Sequence, residues 1–196
     1  DRANYVRDAS SAYEDSPQPI GYEATISAPH MHAWCLELFS DMMKENMSVL
    51  DVGSGSGYLT ACMASMLKER YPEKPGKVIG IDIIPELVLY AQKNTQAANA
   101  DLMSPGGSVA FQLANGWEGA PEHAPFDFIH VGAAAESLPQ SLVDQLRVGG
   151  RMVLPMHETP TSRSQALYLV EKTSKDGPPV IEYLMGVRYV PLVKKL

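Results

Sequence analysis

The run Val49-Leu50-Asp51-Val52-Gly53-Ser54-Gly55-Ser56-Gly57 constrains the fold of this chain more than any other stretch. Its apolar half reads as a buried strand that ends near an acid. Its second half puts glycine at every other position, which admits positive φ and lets a ligand approach the backbone with no Cβ in the way. Residues 58–68 continue in a helical pattern, so the loop sits at a helix N-terminus. That is the layout of a nucleotide-type cofactor site.

The rest of the chain alternates in the same sense. Strands are predicted at 48–52, 77–82, 109–113, 126–131 and 151–154, with helices at 58–68, 85–99 and 139–146 between them. Alternation of this kind builds a parallel sheet covered on both faces. Segments 166–172 and 187–192 are β-rich with little helix between them and predict an antiparallel C-terminal edge. With 196 residues, 45% of them hydrophobic, one domain with a sizeable core is expected. A net charge of −7 argues against nucleic acid or an anionic membrane as the main partner. No run approaches the ~18 apolar residues of a membrane span, and no signal peptide is visible. Cys35 and Cys62 match no metal spacing and read as buried thiols of a reducing compartment, so a cytoplasmic location is expected.

The loop spacing is Gly53-x-Gly55-x-Gly57, whereas dinucleotide enzymes prefer G-x-G-x-x-G around a pyrophosphate. A cofactor without phosphate, carrying a sulfonium, tolerates the acid Asp51 beside the loop. Asp82, ending the second strand, can accept from both ribose hydroxyls, which suits NAD and S-adenosylmethionine alike. A helix N-cap before Pro85 is its plainer reading.

Residues 1–27 read as a long irregular arm, rich in turn formers and marked by Tyr5, Tyr13 and Tyr22. Ser27 before Ala28-Pro29 suits an N-cap followed by proline in the first turn. The arm ends in residues 17–33, PQPIGYEATISAPHMHA, a string that periodicity does not require. It closely resembles the arm of the protein-L-isoaspartate (D-aspartate) O-methyltransferase family. The resemblance extends through 51–61 (DVGSGSGYLTA), 77–84 (KVIGIDII), 130–136 (HVGAAAE), 145–155 (QLRVGGRMVLP) and 184–192 (LMGVRYVPL), and so over nearly the whole chain.

The resemblance implies the Rossmann-like doubly wound α/β sheet of the class I S-adenosylmethionine-dependent methyltransferases, mostly parallel with an antiparallel C-terminal edge. It implies a single methyltransferase domain over 1–196: a substrate-binding arm at 1–27, a cofactor-binding core at 28–155 and a β-rich segment at 156–196. The implied activity is methyl transfer from S-adenosyl-L-methionine to the α-carboxyl of L-isoaspartyl, and D-aspartyl, residues in damaged proteins and peptides. S-adenosyl-L-homocysteine is the product, and the ester starts repair by closing to a succinimide. A monomer is expected. Ser27 carries over as the catalytic residue. Thr25 and Ile26 join it in binding substrate. Ala24, Thr25, Ile26, His32, Gly53, Gly55, Ser56, Asp82, Asn115 and Gly116 carry over as cofactor contacts.

The chemistry agrees with these residue types. The nucleophile is the substrate's own carboxylate, with a pKa of roughly 4, so no general base is required. A neutral hydroxyl such as that of Ser27 can orient it without neutralising it. Two positions depart from the family pattern. Asn115-Gly116 stands where Asp-Gly is usual, leaving an acceptor for the adenine amino group without charge assistance. An Asn-Gly pair is also prone to deamidate with age. Val193 stands where a polar Thr or Ser is usual. Another class I methyltransferase, or an inactive cofactor-binding module on the same fold, are the alternatives.

Overall fold

The computed structural model describes residues 1–159, 162 and 164–194. Two strands form a hairpin in the arm, β1 (Gln18–Gly21) and β2 (Ala24–Ile26). A seven-stranded sheet follows, made of β3 (Ser48–Val52), β4 (Lys77–Asp82), β5 (Val109–Leu113), β6 (Phe126–Val131), β7 (Leu146–His157), β8 (Gln165–Glu171) and β9 (Val180–Val187). Its order is β5-β4-β3-β6-β7-β8-β9. The first five strands run parallel, and β8 and β9 extend the sheet antiparallel. The predicted class and the antiparallel edge are both present.

The helices are α1 (Pro29–Ser40), α2 (Tyr58–Arg70), α3 (Pro85–Ala98), the single turn α4 (Ala100–Met103) and α5 (Gln140–Gln145). Successive strand residues point to opposite faces, which divides the core in two. Val49, Val78 and Phe128 meet Phe39 of α1, Leu59, Met63 and Leu67 of α2 and Leu87 and Ala91 of α3. Leu50, Val52, Ile79, Ile81 and Ile129 meet Leu142 and Val143 of α5 on the other face. Central strands buried on both sides explain why the apolar runs of β3, β4 and β6 were read to their correct ends. Among the described residues no helix is long and apolar enough to cross a membrane.

Three expectations change. The arm is not irregular: it holds two 3-10 turns, Arg2–Tyr5 and Ala9–Ser11, before the β1–β2 hairpin, and it buries Arg2, Tyr5, Val6, Ala12 and Ile20. Its partners lie far away in sequence, such as the Tyr5 hydroxyl on Asn99 Oδ1 at 2.9 Å, so local pattern could not reveal them. The last strand is Val180–Val187, not 187–192. Most of its side chains are exposed at the sheet edge, so it lacks a burial alternation to read. Residues 190–192 leave the sheet and run back over its C-terminal end. There Ala134 N–H donates to Val190 O at 2.8 Å and Leu192 N–H to Ala134 O at 2.8 Å. Finally, the N-cap of α1 is Ala28, with Pro29 opening the helix, so Ser27 lies one residue outside the cap.

Candidate active site

Neighbours of β3 connect in opposite directions, to β4 on one side and β6 on the other, so a crevice opens at the C-terminal ends of these strands. Gly53 and Gly132 face each other across it. Gly53 is left-handed at φ +75°, and a Cβ on Gly132 would lie 3.0 Å from Gly53 O. A side chain at Gly132 would crowd the crevice, and one at Gly53 would be strained by its positive φ.

A cavity of about 230 Å³ fills this place. Its floor is Val52, Gly53, Gly55, Ile81, Asp82 and Gly116; its walls are Ile83 and Ile84, the arm residues Tyr22–Thr25 and the returning segment 190–193. A smaller cleft shares Thr25, Gly53, Gly55 and Gly132 with it and adds Ile26, Ser27, His32, Ser56 and His130. A third hollow shares Thr25, Ser27 and Gly132 and opens between Pro17, Met31, Arg188 and Tyr189. Thr25 lines all three hollows, and Ser27 lines the second and third, so the pair stands where they meet.

Every residue predicted for the site lines one of the first two cavities except Asn115. The Asn115 side chain turns elsewhere. Its Oδ1 accepts from Trp117 N–H at 3.0 Å, and its Nδ2 donates to Lys194 O at 3.1 Å and Glu118 Oε1 at 3.3 Å. Trp117 Nε1–H reaches Leu192 O at 2.9 Å. An amide can donate to a carbonyl and a carboxylate cannot, so asparagine here ties down the segment that covers the pocket. Asn115→Asp should break that tie and raise hydrogen exchange at Leu192 about 5-fold, as expected for one lost hydrogen bond of ~1 kcal/mol; unchanged exchange would show the latch to be idle. The same bonds hold the amide away from cyclisation, so peptide mapping should find Asn115 deamidating faster in urea than in the folded protein.

Asp82 is buried, with Oδ2 accepting from Gly55 N–H at 3.0 Å and Oδ1 from Ile84 N–H at 3.1 Å. Burial raises its pKa, and those N–H groups work against the rise. The carboxylate both fixes the glycine loop and faces the pocket.

Asp51, the acid beside the loop, is tied up within the fold. Its Oδ1 takes the His130 Nδ1–H at 2.7 Å, and its Oδ2 takes the Thr60 hydroxyl. Burial opposes charge on His130, but the Cys35 sulfur and the Asp51 carboxylate outweigh it and push the pKa up to about 10. At neutral pH the two form a buried ion pair beneath the loop.

Ser27 is half-buried, and its carbonyl accepts from Arg2 Nη2 at 2.7 Å. Its hydroxyl lies beside Tyr189, a phenol whose pKa is raised by burial, then by the Cys35 sulfur, and lowered by that hydroxyl. Tyr189 is clamped in turn by Gln165, whose Oε1 accepts its N–H at 2.7 Å. Sequence reading missed Tyr189, Arg2, Gly132 and the hairpin tip. At that tip Tyr22 and Glu23 both adopt positive φ, 54° and 57°, in a tight turn that usually demands Asn or Gly. Strain of this kind persists where surrounding structure enforces it, often at binding sites.

A model of the family protein-L-isoaspartate(D-aspartate) O-methyltransferase (PCMT) matches residues 1–196. The chain belongs to that family. Protein-L-isoaspartate O-methyltransferase of Triticum aestivum is 48% identical over 195 residues, covering 100% of this chain and 80% of the relative. Protein-L-isoaspartate O-methyltransferase 1 of Arabidopsis thaliana is 49% identical with the same coverage. Among solved structures, a Plasmodium falciparum protein described as a protein-L-isoaspartate O-methyltransferase, in complex with S-adenosyl-L-homocysteine, superimposes with a TM-score of 0.88 at 34% identity. That match covers 100% of this chain and 87% of the other.

The pocket suits that ligand class on its own terms. It is mostly apolar, no lysine or arginine lines it among the described residues to meet a pyrophosphate, and the acid on its floor, Asp82, can accept from a diol; Glu23 of the hairpin tip is the second acid of the lining. Ser54 Oγ in the adjoining cleft is buried with no partner among the described residues. Asp82→Ala should therefore weaken S-adenosyl-L-homocysteine about 100-fold by calorimetry, the sum of two hydrogen bonds to a charged group. A change under about 3-fold would move the ribose elsewhere.

Proposed function

We propose that the lip Ala24–Ser27 presents the α-carboxylate of an L-isoaspartyl residue to the pocket over the glycine loop, where the enzyme, a protein-L-isoaspartate O-methyltransferase, binds S-adenosyl-L-methionine. The single observation that carries this reading is the position of Thr25 and Ser27 where the pocket over the glycine loop, the cleft beside it and the hollow at Pro17, Met31 and Tyr189 meet.

S-adenosyl-L-methionine supplies the electrophilic methyl group on its sulfonium. Asp82 would hold the ribose, Gly53 and Gly55 the backbone side of the pocket, Gly116 the base, and His32 with Ser56 the amino-acid end. Asn115 supports this arrangement from outside the lining by holding residues 192–194. Ser27 Oγ–H donates to the substrate carboxylate and aims it. A neutral donor leaves the nucleophile its charge, which an arginine would offset. The returning segment 190–193 and the hairpin tip exclude water, and exclusion strengthens the attraction between carboxylate and sulfonium. Val193, half-exposed at the pocket wall, contributes apolar cover where a hydroxyl would have admitted water.

Damaged proteins and peptides are the substrates, and an open groove suits chains of varied sequence. The chain works as one methyltransferase domain and as a monomer in this reading. D-aspartyl residues are accepted by the same lip. The free thiols of Cys35 and Cys62 favour a cytoplasmic site of action. Methylation of paired peptides differing only in isoaspartate versus aspartate tests the reading. Transfer to the isoaspartyl member alone is expected. Transfer to both would indicate a broader methyltransferase, and transfer to neither despite cofactor binding would indicate an inactive module.

A further inference from the structure

Arg2 is 1% exposed, and among the described residues no carboxylate pairs with it. Its acceptors are all neutral. Nε donates to Ala12 O at 2.6 Å, Nη1 to His32 Nδ1 at 2.9 Å and Nη2 to Ser27 O at 2.7 Å. The guanidinium lies 5.3 Å from the centre of the Tyr58 ring, at the start of α2. A buried charge without a counter-charge is unusual, because desolvation is not repaid by neutral partners alone.

The identity of those partners gives the cation a use. Arginine can only donate, so His32 Nδ1 must accept and the ring proton must sit on Nε2. Burial, and then the charge of Arg2, hold His32 down to about 3, with His130 adding to the effect. The ring is therefore a neutral donor of fixed tautomer at any working pH. It lines the cleft beside Ser56, and its Nε2–H has no protein acceptor among the described residues. A positive charge behind the His32 ring, which lines the cleft, favours an anion at that end of the site, and Asp51, the acid lining the same cleft, has its oxygens taken by Thr60 and His130.

We propose that Arg2 is a positioning residue for the reaction: it sets His32 as an Nε2–H donor and supplies the missing counter-charge for the carboxylate at the amino-acid end of the cofactor, while its bond to the Ser27 carbonyl fixes the serine that meets the substrate. This rests on the cofactor reading above. It makes the 3-10 turn Arg2–Tyr5 part of the active site, and it couples cofactor binding to the placement of Ser27.

Two ligands separate the role from simple folding support. S-adenosyl-L-homocysteine carries the carboxylate; 5′-methylthioadenosine carries the same adenosine and sulfur without it. In the full chain, calorimetry should find Arg2→Met binding S-adenosyl-L-homocysteine about 30-fold more weakly, with 5′-methylthioadenosine changed less than about 3-fold. Arg2→Lys keeps the charge but places its donors on one nitrogen, which cannot span the three acceptors set around the planar guanidinium, and should fall between. Equal losses for both ligands, or no loss for either, would overturn the proposal. Failure of the unaltered chain to bind either ligand would sink the cofactor reading, and the proposal with it. Should Arg2→Met not fold, ¹⁵N NMR of the His32 ring in the unaltered chain decides. A single Nε2–H tautomer is expected, and an Nδ1–H tautomer would refute the arrangement.

Discussion

Asp51→Ala should destabilise the fold by about 3–5 kcal/mol, the range found when one member of a buried ion pair is removed. Asp51 is 1% exposed and both of its oxygens are occupied. Without the carboxylate, the His130 Nδ1–H and the Thr60 hydroxyl lose their acceptor inside the sheet. Asp51→Asn keeps the volume and one acceptor oxygen, and should be hurt less. The pair also predicts a pH dependence. The folded pKa of His130, about 10, lies above its ordinary value of 6.5. The stabilisation is then fully present below pH 6.5 and is lost as pH rises through 10. Urea midpoints at pH 6, 8 and 10 should fall more steeply for the unaltered protein than for Asp51→Asn. Parallel curves would mean that His130 is neutral and the pair is an ordinary hydrogen bond.

Ser27→Ala should lower kcat by about 10²–10³-fold, the usual loss on removing one well-placed donor to a reacting oxygen. Binding of S-adenosyl-L-homocysteine should change less than about 2-fold, because the Ser27 carbonyl that Arg2 holds is retained. Stability distinguishes this role from capping. An N-cap serine replaced by alanine costs about 1 kcal/mol. Here Ala28 is the cap, so the change should stay within about 0.5 kcal/mol. A kcat within about 3-fold of the unaltered enzyme would transfer the orienting role to another group, with the adjacent Tyr189 hydroxyl the first to examine.

The inner strands β3, β4 and β6 were legible because each is buried on both faces, and a continuous apolar run leaves little choice of boundary. β5, at one edge of the sheet, was also read to its bounds, helped by buried Val109 and Phe111 alternating with less buried neighbours. β9 was misplaced because an exposed edge strand has no such signature; its Val180, Ile181 and Tyr183 are all open to solvent. The arm was misjudged for the opposite reason. Its order comes from a few long-range bonds, Arg2 to Ser27 and His32 above all, and distance along the chain hides them.

The same division runs through the site. Family resemblance named Ser27, His32, the glycine loop and Asp82, and these residues line the joined cavities as a set. Their types alone could say what each might donate or accept. The sequence by itself determined the sheet, the cofactor class and the family, because periodic burial and short contiguous motifs are local properties. Only the tertiary structure decided that Asp51 belongs to His130, that Asn115 faces Lys194 and that Arg2 stands behind His32. Each of those depends on which atom of one element lies within about 3 Å of another, a distance set by packing of the whole chain.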